Sequence, residues 1–249
     1  MNGIHILYKN LGETPLETIE RFKKDNTEYV GISMTYAGRL DPMAEGVLLV
    51  LSGDAIAEKQ KYLDLPKTYT FQILWGVATD SLDVLGLVSG ESDVVPRQDL
   101  VEKEIKNMTG KFHQKYPLFS SKIIATKFNG KHVFPWSRPG MDKASTPVHK
   151  VEIHEGHFIS RESISGEDIL NTITKRISLV TGDFRQKETI ENWQNIIESR
   201  GEYIIDIITL TVSRGFYVRQ FVSDLAENLG TVATTFHIKR DKVGDLQVS

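Results

Sequence analysis

The most informative stretch of this 249-residue chain is Tyr36-Ala37-Gly38-Arg39-Leu40-Asp41-Pro42-Met43-Ala44-Glu45-Gly46-Val47-Leu48-Leu49-Val50. Two glycines and a proline surround a single aspartate, which predicts a turn at Asp41. The continuous apolar run 47–51 predicts the strand that follows this turn. Taken by residue type alone, an aspartate before a proline forms a turn more often than it performs catalysis, so both interpretations stay open at this point.

The same kind of pattern places other elements on both sides of this stretch. Thr14 supplies an N-cap, Pro15 the first helical position and Glu17 the acid of a capping box, so a helix begins here. Gly230 follows an apolar stripe and is typical of a helix end. The predicted strands are residues 3–8, 47–51, 69–74, 148–159 and 203–212, and the further predicted helices are residues 55–63, 96–108 and 218–229.

A helical insertion is predicted between the last two strands, at residues 163–200. Ser165 and Asp168 have a cap-like spacing, and apolar residues then recur at helical intervals in two runs. Strands with interspersed helices and no regular βαβ rhythm predict an α+β fold with a mixed, largely antiparallel central sheet and flanking helices. We expect one domain over residues 1–249.

Composition limits the possible functions. The chain has no cysteine, which excludes disulfides, thiolate catalysis and cysteine zinc sites. It also has no signal peptide and no apolar run long enough to cross a bilayer, so we expect a cytoplasmic protein without a membrane partner. The histidines at positions 149, 154 and 157 do not share one face of a strand, and we predict no metal site.

Residues 111–143 are strongly basic, although the whole chain has a formal net charge of −3. Seven cations stand against one acid, a local net charge of +6, and aromatic residues are interleaved with the cations. This combination is typical of RNA binding through phosphate contacts and base stacking. The alternative is that the aromatics belong to a core and the lysines to an ordinary surface. The aromatics are Phe112, Tyr116, Phe119, Phe128, Phe134 and Trp136.

Several sequence blocks resemble one enzyme family. The pattern G-x-L-D-P-x-A-x-G-V-L at Asp41 resembles the catalytic loop of the TruB pseudouridine synthases. Three more blocks are similar in order and content, and together they cover most of residues 3–140 and 203–246. These blocks are Lys67-Thr68-Tyr69 with the loop 76–83, residues 116–122 with Phe128-Asn129-Gly130-Lys131, and Ser213-Arg214-Gly215-Phe216-Tyr217-Val218-Arg219.

The resemblance implies a pseudouridine synthase fold with a catalytic cleft, and it implies three site residues. Asp41 would be the essential carboxylate, Arg219 its partner, and Tyr69 the ring that packs against the target base. A carboxylate could act on the ribose as a nucleophile or as a base, and either role requires the ionised form, which a guanidinium favours. Isomerisation gains no atoms or electrons, so no cofactor is expected.

The substrate implied by the resemblance is RNA, namely the T-loop uridine at position 55 of tRNA, bound by a monomer. The expected RNA-binding residues are Lys9, Tyr36, Arg39, Lys67, Lys122, Lys127, Lys131 and Arg214. Two departures from the family pattern leave this substrate open. Tyr36 and Ala37 replace the usual histidine and threonine. We also expect no separate C-terminal RNA-binding domain, which many members of the family carry. A non-catalytic RNA-binding or RNA-folding module is the main alternative. A hydrolase that pairs Asp41 with Asp80 or Asp83 is another, although these two acids are predicted to cap their own backbone.

Overall fold

The computed structural model describes residues 2–117, 126–128, 131–133, 148–182, 184–197 and 201–248, with backbone alone at 126–128 and 131–133. The helices in this part of the chain are α1 (Pro15–Asp25), α2 (Lys59–Asp64), α3 (Gln98–Asn107), α4 (Gly166–Ser178), α5 (Gln186–Ile197) and α6 (Val218–Asn228). The strands are β1 (Gly3–Lys9), β2 (Met34–Tyr36), β3 (Ala44–Ser52), β4 (Lys67–Trp75), β5 (Val77–Thr79), β6 (Val88–Glu91), β7 (Gly110–Lys115), β8 (Thr126–Phe128), β9 (Lys131–Val133), β10 (Val148–Ser165), β11 (Glu202–Val212) and β12 (Ala233–Val243).

An eight-stranded sheet organises the fold. Its order is β1-β3-β12-β4-β11-β10-β7, with β2 also paired to β3. Every pairing is antiparallel except the short parallel contact between β12 and β3. The predicted α+β class with a mixed, largely antiparallel sheet is therefore confirmed.

Local signals in the sequence explain where the helices begin. At α1 the Thr14 side chain accepts a hydrogen bond from the Glu17 amide at 3.2 Å, and the Glu17 carboxylate accepts one from the Thr14 amide at 2.6 Å. This is the predicted capping box. At α4 the Ser165 hydroxyl accepts from the amide of Asp168 at 3.1 Å. Each cap satisfies amides that have no partner within the helix.

Both faces of the sheet are covered by helices. Phe71, Ile73 and Trp75 of β4 lie in one apolar cluster with residues of α3 and α6. Leu74 of the same strand points the other way, into a second cluster that contains residues of α4 and α5. Because alternate residues of a strand face opposite sides, β4 is buried on both faces and lies at the centre of the molecule.

The sequence patterns were wrong or incomplete at several elements. Residues 55–63 form a 3₁₀ helix, Gly53–Glu58, followed by the short α2 instead of one helix. The strand predicted at 148–159 continues to Ser165. β12 was missed because buried polar residues, among them Thr234, Thr235 and Arg240, interrupt its apolar pattern.

Throughout the described residues, no helix is both long and apolar enough to cross a membrane.

Candidate active site

Asp41 lies in a tight loop between β2 and β3. The loop begins where the Ala37 amide bonds to the Leu49 carbonyl at 2.8 Å, and it closes where the Ala44 amide bonds to the Asp41 carbonyl at 3.0 Å. Gly38 adopts a φ of +95°, a conformation that L side chains rarely occupy. The side chain of Asp41 remains 23% exposed, so its carboxylate is anchored but still reachable from solvent.

Arg219 reaches Asp41 from the first turn of α6, across 178 positions of sequence. Its Nε and Nη2 atoms are each 2.9 Å from Asp41 Oδ2, and its Nη1 donates to the Ser81 carbonyl at 2.6 Å. Both contacts to Asp41 use the same oxygen. Within the described residues, Oδ1 of Asp41 accepts no hydrogen bond. The sequence therefore correctly predicted an Asp41–Arg219 pair, but the structure has a pair made through one carboxylate oxygen.

A second carboxylate stands behind Arg219. Asp83 is 5% exposed, and its Oδ2 lies 3.7 Å from Nε of Arg219. Its Oδ1 accepts hydrogen bonds from the Ser81 hydroxyl at 2.6 Å and from the Leu85 amide at 3.1 Å. The bond from the Leu85 amide is the backbone capping that the sequence predicted. The contact with Arg219 was not predicted.

Burial and charge act in opposite directions on these groups. Burial raises the pKa of Asp83 despite the nearby Arg219. Burial alone would lower the pKa of Arg219, but the charges of Asp41 and Asp83 outweigh it and raise the pKa. Arg219 is 3% exposed and stays protonated. The buried guanidinium of Arg219 is therefore in direct contact with the partly exposed carboxylate of Asp41.

Tyr69 lies on β4, opposite Leu210 of β11 and Arg240 of β12 in the sheet register. It is half-buried and packs against the apolar cluster that contains Leu40, the residue before Asp41. Tyr69 therefore lies on the side of the sheet that carries the Asp41 loop.

Two of the expected RNA-binding lysines are buried. Lys9 is fully buried, and its ammonium group donates to the Ala44 carbonyl at 2.5 Å. Lys67 is 6% exposed and donates to the Leu63 and Leu65 carbonyls at 2.6 and 2.5 Å. Burial lowers the pKa of each lysine to about 8. Their donors are directed at backbone, so these placements correct the predicted contacts with RNA.

Arg240 of β12 is a site residue that the sequence reading missed. It is 1% exposed, and its guanidinium donates to the carbonyls of Val47 at 2.7 Å and Gly38 at 3.2 Å. These carbonyls belong to the Asp41 loop and to the strand after it. A Cβ at Gly46 would lie 2.2 Å from the Arg240 carbonyl, so the close approach of β3 and β12 requires glycine there. Without a predicted β12, nothing in the sequence brought Arg240 to this loop.

Tyr217, which begins α6, was also missed. Burial and the charge of Asp41 raise the pKa of Tyr217 to about 12. The fully buried side chain of Gln114 bonds to both its amide and its carbonyl, at 2.8 and 3.0 Å. Tyr116 and His149 stack with ring centroids 4.2 Å apart, and each packs edge-on against Tyr217. The G-F-Y-V-R match was the signal that could have drawn attention to Tyr217.

The remaining expected RNA contacts have mixed outcomes. Arg39 is exposed beside the site. Arg214 is exposed as well and bonds to Asp64 at 2.7 Å. Tyr36 is half-buried, with the Lys59 ammonium 5.6 Å from its ring centroid. The side chains of Lys122, Lys127 and Lys131, and of Phe119, Phe128, Phe134 and Trp136, lie outside the described residues.

The histidines of β10 have protein partners. His149 lies 2.7 Å from the Gly215 carbonyl, and His157 lies 2.8 Å from Glu155. Among the side chains that the structure describes, no three histidines, aspartates or glutamates are grouped closely enough to hold a metal ion.

Comparison with known sequences places the chain near one group of enzymes. The family described as "TruB family pseudouridylate synthase (N terminal domain)" matches residues 27–179. The protein named tRNA pseudouridine synthase B of Caldicellulosiruptor saccharolyticus is 26% identical, over 98% of this chain and 68% of its own length. The protein of the same name from Streptococcus pneumoniae serotype 2 is 28% identical, over 100% of this chain and 71% of its own length.

Comparison of structures supports the fold. A chain from a crystal structure of a Cbf5-Nop10-Gar1 complex superimposes with a TM-score of 0.58 at 16% identity, and the match covers 99% of this chain. A chain of an H/ACA RNP bound to a substrate RNA containing 2′-deoxyuridine gives a TM-score of 0.57 at 15% identity. This chain spans about half the length of either one. At such identities the likeness concerns the fold alone.

Proposed function

Since this chain belongs to the TruB family of pseudouridylate synthases, we propose that it isomerises uridine to pseudouridine in tRNA, and that its target is the T-loop uridine at position 55. The observation that carries the proposal is the pair formed by Asp41 and Arg219, in which a buried guanidinium holds a partly exposed carboxylate. The names of the relatives support tRNA as the substrate class. The assignment to position 55 is more specific than the names of these relatives.

The reaction changes bonds without changing composition. The bond between ribose C1′ and base N1 breaks, the base turns, and C1′ joins C5. The C5 proton leaves and N1 takes up a proton, so the atoms balance and no electrons are exchanged. No external reactant or cofactor is therefore required.

Asp41 acts on the ribose in its ionised form. The positive charge of Arg219 lies within hydrogen-bonding distance of this carboxylate in a largely buried setting. Oδ2 already accepts a hydrogen bond from Nε and lies 2.9 Å from Nη2, so Oδ1 is the oxygen that we assign to the sugar. The arrangement orients the carboxylate before substrate arrives, which is a major source of rate in enzymes.

Tyr69 supplies the surface on which the detached base turns. A uridine within folded RNA must leave its stack before C1′ can be reached. An aromatic face can hold any base by stacking, and such stacking contributes about 1–3 kcal/mol per base. Tyr69 is partly exposed and packs against the apolar cluster that contains Leu40, which supports a stacking role beside the Asp41 loop.

RNA is held by exposed groups around the Asp41 loop. We assign Arg39, Arg214 and Tyr36 to this surface, and we retain Lys122, Lys127 and Lys131 as predicted phosphate contacts. Lys9 is assigned to the support of the backbone at Ala44, where the Asp41 loop closes, and Lys67 to the support of the backbone at the end of α2. The protein is proposed to act as a monomer.

The test uses an unmodified tRNA transcript and a matched transcript with cytidine at position 55. Pseudouridine is mapped at single-nucleotide resolution after incubation with the protein, and released uracil is measured in parallel. We expect pseudouridine at position 55 of the first transcript and none in the second. Pseudouridine at another position would overturn the assignment to position 55 but would leave the proposed isomerase activity intact. Free uracil would indicate a hydrolase, and tight binding without either product would indicate a non-catalytic RNA-binding module.

A further inference from the structure

The helices α4 and α5 extend the end of a paired strand hairpin. β10 and β11 remain paired, with two register shifts, as far as Ser165 opposite Glu202, and the Gly166 amide then bonds to the Gly201 carbonyl at 3.1 Å. The sheet ladder is therefore complete without these helices, and their contacts elsewhere indicate what they contribute.

The apolar face of α4 and α5 packs against the loops that build the site. Ile169, Ile173 and Trp193 are fully buried there. Their cluster includes Met43, two positions after Asp41, together with Val84 and Leu85, which directly follow Asp83. Burying this face stabilises both loops in one conformation, since packed interiors tolerate little displacement.

A salt bridge joins the segment between the two helices to the Asp83 loop. Nη2 of Arg185 lies 2.8 and 3.2 Å from the two carboxylate oxygens of Asp80. Asp80 Oδ1 also accepts from the Leu87 amide at 3.0 Å. Arg185 has a φ of +60°, which is unusual for an arginine and is maintained here by its surroundings. Asn192 of α5 adds a hydrogen bond from the Val88 amide at 2.7 Å.

The loop that Arg185 holds is the one that holds Arg219. Between Asp80 and Leu87 the chain presents the Ser81 carbonyl, 2.6 Å from Arg219 Nη1, and the carboxylate of Asp83. A continuous series of polar contacts therefore runs from Arg185 through this loop to Arg219 and then to Asp41.

The end of α4 supports the Asp41 loop from a second direction. A Cβ at Gly12 would lie 2.5 Å from Cβ of Leu179, so the two segments are in close contact. The Gly12 amide bonds to the Pro42 carbonyl at 2.9 Å. The hydroxyl of Thr181 donates to Glu17 of α1 at 2.7 Å.

We propose that α4, α5 and the segment between them position the catalytic pair, with Arg185 as a positioning residue that acts on Arg219 through the Asp80–Leu87 loop. The inference rests on the proposed function. It assigns a role in catalytic geometry to helices that the sequence identified only as an insertion.

The first test measures loop order directly. Hydrogen exchange is compared in the full-length parent, Arg185→Ala, Arg185→Lys and the control Lys187→Ala, whose side chain is 90% exposed. Arg185→Ala should speed amide exchange across residues 80–88 about tenfold, because opening this loop becomes easier. Arg185→Lys should restore part of the protection, and the control should match the parent. Unchanged exchange in Arg185→Ala would overturn the inference.

The second test separates positioning from binding. Single-turnover rates at saturating tRNA should fall roughly 10- to 100-fold in Arg185→Ala, as small displacements of reacting groups cost rates of this order. The KM and the Kd for tRNA should stay within about twofold of the parent, and Arg185→Lys should recover much of the rate. A weakened Kd with an unchanged rate would instead identify an RNA contact. If the parent makes no pseudouridine, the proposed function fails, and the exchange measurement alone decides on the positioning role.

Discussion

Arg219 holds Asp41 through a single carboxylate oxygen, with Nε and Nη2 both 2.9 Å from Oδ2. Arginine and carboxylate pairs commonly engage both oxygens. Here Nη1 is directed at the Ser81 carbonyl instead, at 2.6 Å. The geometry fixes the direction of the carboxylate, and Oδ1 accepts no hydrogen bond within the described residues.

Replacing Asp41 with asparagine should abolish isomerisation. The amide has nearly the shape of the carboxylate but lacks the charge that acts on the ribose, so the Kd for tRNA should stay within a few-fold of the parent. Asp54→Asn is the matched control, because Asp54 lies in an exposed contact with Asn2. Single-turnover pseudouridine formation and filter binding measure the two quantities. Product formation by Asp41→Asn would refute the role of Asp41.

Replacing Arg219 with methionine should destabilise the fold as well as stop the reaction. The change leaves Asp83 buried without its cation, and such uncompensated charges cost about 3–5 kcal/mol. The double variant Arg219→Met with Asp83→Asn should regain part of this loss, since the unpaired acid is gone. Urea unfolding of the parent and both variants measures the free energies. Equal stability of the single and double variants would argue against the Asp83–Arg219 contact.

Gly46→Ala and Gly31→Ala form a matched pair. Both glycines have positive φ angles, +109° and +81°, so either substitution introduces backbone strain of about 1–2 kcal/mol. Only at Gly46 would the new Cβ meet another chain segment, 2.2 Å from the Arg240 carbonyl, while nothing lies within 4 Å at Gly31. Gly46→Ala should therefore lose several kcal/mol of unfolding free energy. Similar losses in the two variants would mean that strain alone matters.

The sequence predicted elements best where local chemistry determines them. The capping box at Thr14, the cap at Ser165 and the apolar runs of β3 and β4 depend on neighbouring residues, and all are present. β12 depends on partners far along the chain, because Arg240 donates to the Gly38 and Val47 carbonyls and the Thr234 hydroxyl hydrogen-bonds to Thr79. No periodicity can reveal such a strand.

The site shows the same division. The pairing of Asp41 with Arg219 was predicted because two matching sequence blocks carry them. Arg240 was missed as a neighbour of the Asp41 loop, and Asp83 was missed as a neighbour of Arg219. Each contact joins positions that are far apart in the sequence. Lys9 and Lys67 were misassigned because a lysine usually lies at the surface, and only the fold shows that backbone carbonyls surround them.

Glu13 provides a prediction for acid stability at the edge of the site. Its carboxylate accepts hydrogen bonds from Arg21 at 2.7 and 3.0 Å, from the side chain of Thr18, and from both the amide and the side chain of Asn10. Although burial raises the pKa of Glu13, these donors outweigh burial and lower the pKa from 4.5 to about 2. The loop they hold includes Gly12, whose amide bonds to the residue after Asp41.

A depressed carboxyl pKa stabilises the folded state above the unfolded value and loses that effect as pH falls through the folded value. The contribution of Glu13 should therefore be complete above pH 4.5 and decline between pH 4.5 and about 2. Glu13→Gln should cost on the order of 2 kcal/mol at pH 7, allowing for solvent screening, and should approach the parent near pH 2. Urea unfolding across this range measures the difference, with the exposed Glu20→Gln as control. Curves for Glu13→Gln and the parent that stay parallel down to pH 2 would show that Glu13 keeps its proton affinity on folding.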